Sequence, residues 1–213
     1  MRCLLFFSRP TKTTLELQSG FTLIELLVVI FLIAIIAGAA VLGYEGVQDQ
    51  GRDDVTQFEM AEIRKALLQF RRDSGSRDFP KQGQYDCVNM VNFPSTIASL
   101  TATEKQDWCN SPANFVMLFE NPLDDPATPV IEGEWNSDTH RGWNGPYLRN
   151  KRSLRSYSGI DFIPTITTPY QSPYLLDLSA PESILSMGSN GISGAISSCQ
   201  SDDDDDYVVC LLQ

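Results

Sequence analysis

The chain has 213 residues, and its 16 Lys and Arg against 27 Asp and Glu give a formal net charge of −11 at pH 7. This length allows one modest globular domain together with one long helix. The acidic balance argues against nucleic acid as a partner, because nucleic-acid binding depends on a basic surface.

Residues 20–43, GFTLIELLVVIFLIAIIAGAAVLG, form an apolar run interrupted by a single charge, Glu25. From Leu26 to Gly43, 18 consecutive residues carry no charge, which is the length expected of a transmembrane helix. A secretory signal peptide is the competing interpretation, since three basic residues precede the run: Arg2, Arg9 and Lys12. Its apolar core would be only about 7–15 residues long. The longer run here predicts a membrane span over about residues 21–43.

The sequence G-F-T-L-I-E-L-L at residues 20–27 resembles the G-F-T-L-x-E-L-L motif of type IV prepilins and pseudopilins. The resemblance implies that a prepilin peptidase cuts between Gly20 and Phe21, discards residues 1–20 as a leader, and N-methylates Phe21. It also implies polymerisation through the apolar helix, with copies of itself and other pseudopilins or pilins as partners. An inner-membrane assembly platform with a separate motor ATPase would drive assembly. The single-pass protein would expose its C-terminal domain to the bacterial periplasm.

Glu25 is the one acid within the apolar run. A carboxylate near the start of a membrane span is costly and rare, and is therefore a functional candidate. The new amine of Phe21 would lie four residues away, on the same helix face or on a neighbouring subunit, and is the expected counter-charge. The resemblance favours pairing of Glu25 with the methylated amine of an adjacent subunit during assembly. A charge that only snorkels to the membrane interface is the alternative.

No proline occurs between Thr11 and Phe79, so one helix can continue beyond the membrane. After the span, apolar side chains recur near one helix face: Val55, Phe58, Ile63, Leu67 and Phe70. The glycines of the helix, at 38, 43, 46 and 51, each weaken it by about 1 kcal/mol relative to Ala, which allows bending around 43–51. A glycine-then-proline signal predicts the helix end at 74–76.

Four cysteines remain once Cys3 is removed with the leader: Cys87, Cys109, Cys199 and Cys210. An even number in an exported domain predicts two disulfides, although four cysteines allow three connectivities. Pairing neighbours, Cys87 with Cys109 and Cys199 with Cys210, closes two moderate loops that stabilise by about 2–4 kcal/mol each. A four-cysteine zinc site would need close C-x2–4-C pairs, and the sequence has none. Disulfides would place the domain in oxidising surroundings.

The stretch after the long helix is rich in loops up to residue 150, with a short helix expected at 96–108. An apolar run at 115–119 is either a strand or a buried turn. The run G-W-N-G-P-Y-L at 142–148 sets two aromatic residues beside a Gly-Pro turn, which predicts domain core, with an aromatic contact surface as the alternative. This run also resembles a segment of the major pseudopilins.

Three short β-prone segments, 174–178, 183–187 and 207–212, predict a small antiparallel sheet. The expected fold is therefore α+β and pilin-like: a long N-terminal helix, transmembrane in its first half, packs on a small antiparallel sheet with disulfide-stapled loops. The predicted division is a helix over 21–75 and a globular periplasmic domain over 76–213.

The sequence S-M-G-S-N-G at residues 186–191 resembles the S-L-G-A-D-G that opens a calcium-binding loop in major pseudopilins of type II secretion, with Asn190 in the acid's place. An acidic run completes the loop: Asp202, Asp203, Asp204, Asp205 and Asp206. Ca²⁺ takes about six to eight oxygen ligands, and a dication would relieve repulsion among adjacent carboxylates, although the five cannot all bind one ion. A solvated acidic loop is the alternative.

An enzymatic function is not expected. The one histidine, His140, lacks the strand–turn–helix nucleophile context of G-x-S-x-G, and the sequence has no phosphate-binding G-x-x-x-x-G-K-[ST] loop. The resemblance implies a structural filament subunit, a pseudopilin of a type II secretion system. A major or minor pilin of a type IV pilus shares the motif at 20–27 and is the first alternative. A membrane-anchored periplasmic binding domain that never polymerises is the second.

Overall fold

The computed structural model describes residues 21–75, 77–129, 133–149, 152–179, 181–197 and 199–212. The chain divides into two compact units, Met1–Val47 and Gln48–Gln213. The predicted leader, residues 1–20, lies outside the described residues. The predicted boundary between helix and globular domain was at residue 75. The boundary between the two compact units lies at residue 47 instead, because the last part of the long helix is grouped with the globular domain.

The long helix, α1, spans Leu23–Asp73 and is unbroken at its four glycines. At its end the amide of Ser74 donates to the carbonyl of Phe70 at 2.7 Å. Gly75 then takes the left-handed region, with φ +79°, which is the usual conformation just beyond a helix C-terminus. The predicted glycine stop is thus confirmed.

In the first unit, Leu23–Ala40 is long and apolar enough to cross a membrane, with a mean hydropathy of 2.9 over 18 residues. All of its side chains are exposed within the protein itself. An apolar surface of this length has to be covered by lipid or by other chains. This agrees with the predicted span over 21–43.

In the second unit, α1 buries one stripe of side chains against the domain core: Thr56, Met60, Ile63, Leu67 and Phe70. Their spacing of four, three, four and three is that of a single helix face. The prediction was right for the last three of these and wrong for Val55 and Phe58, which are 48 % and 64 % exposed. The buried face instead includes Thr56 and Met60. The prediction missed it because Thr56 is polar and interrupts the apolar spacing of that face in the sequence.

Two short helices and two 3-10 turns follow: turns Gly83–Tyr85 and Ser95–Ile97, then α2 at Ala102–Asn110 and α3 at Val116–Phe119. The helix predicted at 96–108 is therefore split by a cap at Thr101. Thr101 accepts from the amide of Glu104, and the Glu104 carboxylate accepts from the amide of Thr101, which is a capping box. The apolar run at 115–119 is a buried helical turn, so its strand alternative was wrong.

The strands are β1 Ser153–Tyr157, β2 Ile160–Thr165, β3 Tyr174–Asp177, β4 Ser183–Ser186, β5 Ile196–Ser197, β6 Gln200–Ser201 and β7 Tyr207–Cys210. An antiparallel sheet has the order β3-β4-β7, with Leu176 opposite Ile184 and Ile184 opposite Val209. The three predicted strands and their sheet are confirmed, as is the α+β pilin-like fold. Strand β7 lies at an edge of this sheet.

The β1-β2 hairpin was not predicted. Its two-residue turn, Ser158-Gly159, has φ values of 51° and 81°, the positive pair required by a type I′ turn. The Ser-Gly dipeptide between two short β-prone runs was the available signal. Pro164 within β2 obscured it, because proline is unusual inside a strand.

The 142–148 segment packs into the domain, as its core interpretation predicted. The indole N–H of Trp143 donates to the carbonyl of Met117 at 2.8 Å. Its ring meets Tyr147 edge-on at 5.8 Å, and Tyr147 in turn meets Phe70 of α1 at 5.5 Å. These edge contacts join the segment to the buried stripe of the helix.

Both disulfides join the neighbours predicted from the sequence, Cys87 to Cys109 and Cys199 to Cys210. The first pair is buried and ties the loop before α2 to that helix. The second connects residue 199 to the end of β7 and so encloses the acidic run. Each bond removes conformational freedom from the unfolded chain, by about 2–4 kcal/mol in the chain-entropy account.

Candidate functional site

The N-terminus of α1 is capped by Thr22. Its hydroxyl oxygen accepts from the amide of Glu25 at 3.3 Å, and its carbonyl accepts from the amides of Glu25 and Leu26. The sequence analysis missed this role, although T-x-x-E before an apolar run is the signature of a capped helix start. The cap fixes the helix to begin at Leu23.

Glu25 lies in the first turn of α1 and is exposed. A negative charge is favourable there, because the unpaired amides at a helix N-terminus carry partial positive charge. Phe21 precedes the cap and is 83 % exposed. Phe21 therefore lies outside the helix whose first turn carries Glu25. Pairing of Glu25 with the amine of Phe21, in the same chain or in a neighbouring subunit, stays a prediction. Gly20 lies outside the described residues.

The second candidate region is the acidic loop, residues 188–206, which joins β4 to β7. Two glycines in the first half of the loop allow it to approach the second half closely. A Cβ at Gly188 would lie 2.0 Å from the carbonyl oxygen of Asp205, and one at Gly194 would lie 2.2 Å from the hydroxyl of Ser201. Gly188 faces backbone, so a side chain there would prevent the loop from closing. At Gly194 the nearest atoms belong to side chains that can move, and the backbone nitrogen of Asp203 lies 2.9 Å away.

Three of the five predicted acids come together. Carboxylate oxygens of Asp203, Asp205 and Asp206 lie within 4.8 Å of one another. Asp206 is held in place by the amides of Gly188 at 3.3 Å and Gly194 at 2.8 Å. We call these three residues the inner carboxylates.

The other two acids, Asp202 and Asp204, are exposed and lie outside this group. Asp202 accepts from the amide of Ala195 at 2.6 Å. We call this pair the outer carboxylates. The division accompanies a turn in which the amide of Asp206 donates to the carbonyl of Asp203 at 3.2 Å, and it could not be predicted from five identical residues in sequence.

Asn190 links the two halves of the loop. Its side-chain amide donates to Asp203 at 2.7 Å and to Asp205 at 2.8 Å, and its backbone amide donates to Asp205 at 3.0 Å. Its side-chain oxygen instead accepts from the amide of Ile192. The backbone hydrogen bond from Asn190 is the largest cause that lowers the pKa of Asp205, with Asp203 and Ser189 contributing. Asp205 therefore stays ionised further into acid than an ordinary aspartate.

The donor set fits a hard cation in part. Three carboxylates that converge at an exposed loop are the ligand type that Ca²⁺ prefers, and adjacent acids repel one another less when a dication lies between them. Asn190, predicted as a ligand, here donates hydrogen bonds to the inner carboxylates, so its amide oxygen would have to turn towards an ion to bind it. Of the predicted ligands, the structure brings the inner carboxylates together, and the calcium site itself stays a prediction.

His140 is exposed, with φ 52°, and its ring lies 5.9 Å from that of Trp135. This agrees with a surface histidine. Burial also affects Lys81: desolvation lowers its pKa to about 7, although the residue as a whole is half-buried. Its ammonium donates to the carbonyl of Ser111 at 2.6 Å, beyond the end of α2. It therefore supports a helix terminus.

Residues 17–41 match the family model for the prokaryotic N-terminal methylation motif. The match includes the predicted cleavage position and Glu25, and it supports a type IV pilin-like or pseudopilin protein. Such a motif implies processing by prepilin peptidase and assembly into pilin-type filaments. Together with the exposed apolar helix it indicates an inner-membrane anchor. No curated protein and no solved structure matches the chain.

Proposed function

We propose that this chain is a pseudopilin, a structural subunit of the periplasmic filament of a type II secretion system. The single observation that carries the proposal is the methylation motif at 17–41 on an exposed apolar helix. Among the described residues of the first unit, every side chain from 23 to 40 is exposed. Lipid covers this helix before assembly, and the helices of neighbouring subunits cover it within a filament.

Glu25 is the assembly residue in this proposal. A carboxylate on the lipid-facing surface of a span is costly, and that cost is removed when it meets a cation in a second subunit. The cation that processing creates is the N-terminal amine of Phe21. Processing and assembly are therefore linked through one ion pair, and no ATP-binding site is needed in this chain because a separate motor supplies the work.

The acidic loop is what favours secretion over a pilus. Its S-M-G-S-N-G sequence resembles the calcium loop of major pseudopilins, and the three inner carboxylates support a Ca²⁺ ion as cofactor. Bound there, the ion would supply positive charge that holds the two halves of the loop together. The chain itself supplies Asp203, Asp205 and Asp206 as ligands and the amides of Gly188 and Gly194 as positioning groups.

A type IV pilus pilin is the second candidate, since the methylation motif is common to both classes. Deletion of the gene, followed by complementation, separates them. Loss of exported enzymes from the medium, with no loss of surface fibres, is the result expected for a secretion pseudopilin. Loss of surface fibres that an antibody against this chain decorates would identify a pilus subunit instead.

The processing step is tested by mass spectrometry of the membrane-associated protein. The expected mature N-terminus is a methylated Phe21, and substitution of Gly20 by a bulky residue should leave the leader attached. A mature N-terminus elsewhere, in cells with active prepilin peptidase, would contradict both filament proposals. A membrane-anchored binding domain that never polymerises would then be the better account.

A further inference from the structure

A groove of about 670 Å³ lies between the last part of α1 and the edge strand β7, within the globular unit. Its floor is apolar, with Leu68 on the helix and Val208 and Val209 on the strand. Its charged lining is of one sign only: the described residues around it include Arg64, Lys65 and Arg72 and no carboxylate. We call it the basic groove.

The three cations differ in how they are engaged. Arg64 donates to the carbonyls of Cys210 and Leu211, at 2.9 and 3.2 Å, and so fixes the end of β7 against the helix. Arg72 is exposed and has a single weak contact of 3.4 Å with its neighbour Asp73. Lys65 is exposed. Positive charge from Lys65 and Arg72 is therefore directed to the solvent side of the groove.

The edge of β7 also faces the groove. Residues of an antiparallel strand present their N–H and C=O groups alternately to the two sides. Because the carbonyl of Cys210 is on the outer side, where Arg64 reaches it, Val208 presents its backbone groups to the same outer side. An open strand edge beside an apolar floor is a surface that another polypeptide segment can cover.

The outer carboxylates are the complementary feature. Asp202 and Asp204 project from the turn of the acidic loop, while the inner carboxylates are occupied with Asn190 and the loop amides. Neither outer carboxylate lines the basic groove of its own chain. Asp204 lines a second, neighbouring recess, which shares Cys199 and Val208 with the basic groove. Every copy therefore has an acidic projection beside a basic recess.

We propose that the outer carboxylates of one copy dock in the basic groove of a second copy, with Asp204 next to Lys65 and Arg72. The mature chain is strongly acidic, with 13 Lys and Arg against 26 Asp and Glu once the leader's three bases and one acid are removed from the totals. Copies of such a chain repel each other. Assembly consequently favours contacts in which the few basic surfaces meet acids.

In a filament the contact would be head-to-tail, with the projection of each copy in the recess of the next, and contacts of that type propagate into open filaments. It rests on the proposed function, because it names the surface through which the globular units of a filament would meet. The pairing is exposed, so it should weaken as salt is added. The contact fixes the register between neighbouring globular units, while the apolar helices contribute most of the free energy of association.

Cross-linking of the full-length chain tests the pairing directly. Filaments assembled from equal amounts of ¹⁴N and ¹⁵N protein are treated with a carbodiimide, which joins an amine to a carboxylate without a spacer. The expected product is a peptide with Lys65 joined to Asp204 that contains one light and one heavy strand. Light–light and heavy–heavy peptides also form when equal amounts pair at random, so the mixed peptide should make up about half of the linked product. Linked peptides that are all light–light or heavy–heavy, with no mixed product, would show an intramolecular link and overturn the proposal.

Charge reversal tests it by function. Lys65→Glu or Asp204→Lys should reduce filament yield about tenfold, because like charges then face each other, and the double variant should recover most of that yield. Arg155→Glu and Asp138→Lys, which change the same charges at other exposed positions, serve as matched controls. Intact disulfides and an unchanged melting temperature show that each variant folds.

Two negative results remain distinct. If the wild-type chain forms no filaments at all, the proposed function fails. If filaments form and neither Lys65→Glu nor Asp204→Lys alters their yield, the docking proposal fails and the filament function stands. A double variant as defective as the single ones would likewise overturn the pairing.

Discussion

In residues 23–40 every side chain is exposed and the only charge is Glu25, whereas the globular unit, residues 48–213, buries its large apolar side chains in a core of its own. The first region needs other molecules to cover its surface, and the second does not. The function of the apolar helix can accordingly be predicted from a few adjacent residues in the sequence. The function of the globular unit depends on which residues the fold brings together.

The largest effect is expected in the first region. Glu25→Ala should insert in the membrane at least as well as wild type, because a costly charge has been removed, and yet it should give no filaments. Membrane fractionation and electron microscopy measure the two properties separately. Thr22→Ala is the matched control: it loses a helix cap of about 1 kcal/mol but keeps the carboxylate, and it should still assemble.

Normal filaments from Glu25→Ala would show that the carboxylate does not pair with a neighbouring N-terminus. The apolar helix would then contribute to assembly through its apolar surface alone, without an ion pair.

The disulfides belong entirely to the globular unit. Replacing Cys87 and Cys109 together by Ser should lower the free energy of unfolding by about 2–4 kcal/mol, measured by urea denaturation of the detergent-solubilised chain. Insertion of the apolar helix should be unaffected. An unchanged urea midpoint would mean that the buried bond contributes little beyond the packing of α2 around it.

Calcium should stabilise the globular unit through the acidic loop. Binding to the folded state alone adds about 2.7 kcal/mol at a hundredfold excess over Kd, seen as a higher melting temperature that chelator reverses. Mg²⁺ should substitute poorly because it requires tighter octahedral geometry. The triple replacement of Asp203, Asp205 and Asp206 by Asn should abolish the response.

Asp204→Asn is the matched control for that experiment, since Asp204 lies outside the inner carboxylates. It should retain the calcium response. Identical melting of the wild-type chain in calcium and in chelator would establish the loop as a solvated acidic surface. Type II secretion would then lose the support that the loop gives it.

The cap of α2 tests local structure within the globular unit. Thr101→Ala removes an acceptor for the amide of Glu104 and should cost about 1 kcal/mol of unfolding free energy. Thr103→Ala, on the same helix and exposed, should cost much less. Because Ala has a higher helix propensity than Thr, equal losses in the two variants would show that the loss at Thr101 does not come from its cap.

The smallest effect is electrostatic. Because hydrogen bonds lower the pKa of Asp205, its contribution to stability is present above the ordinary pKa of aspartate and is lost as pH falls below it. Titration of the side-chain carbon by NMR, in chelator, should give a pKa below the ordinary value. Asn190→Ala removes the side-chain donor but keeps the backbone amide, so it should raise the pKa in part. An unchanged pKa in that variant would mean that the side-chain amide of Asn190 adds little to the effect of its backbone amide.

The sequence predicted what depends on neighbours along the chain. The span, the helix end at Gly75, the pairing of neighbouring cysteines and the three strands of the β3-β4-β7 sheet all follow local patterns. Two local signals were present but overlooked, the Thr22 cap and the Ser158-Gly159 turn. These could have been found by inspection.

Other features are not local. The hydrophobic period failed at Thr56, because a polar residue occupies a buried position of the stripe. The division of five aspartates into inner and outer carboxylates depends on the turn that carries them and on glycines from the other half of the loop. Likewise, the basic groove joins Lys65 and Val208, which are separated by more than half of the chain.

The buried stripe on α1 also decides where the protein can be cut for work in solution. A recombinant fragment that begins at Gln48 retains Thr56, Met60 and the rest of the stripe, and should give a compact product that resists limited proteolysis. One that begins at residue 76 would lack the helix that closes the core. That shorter fragment should precipitate or be digested. Binding or crystallisation experiments on it would then describe an incompletely folded domain.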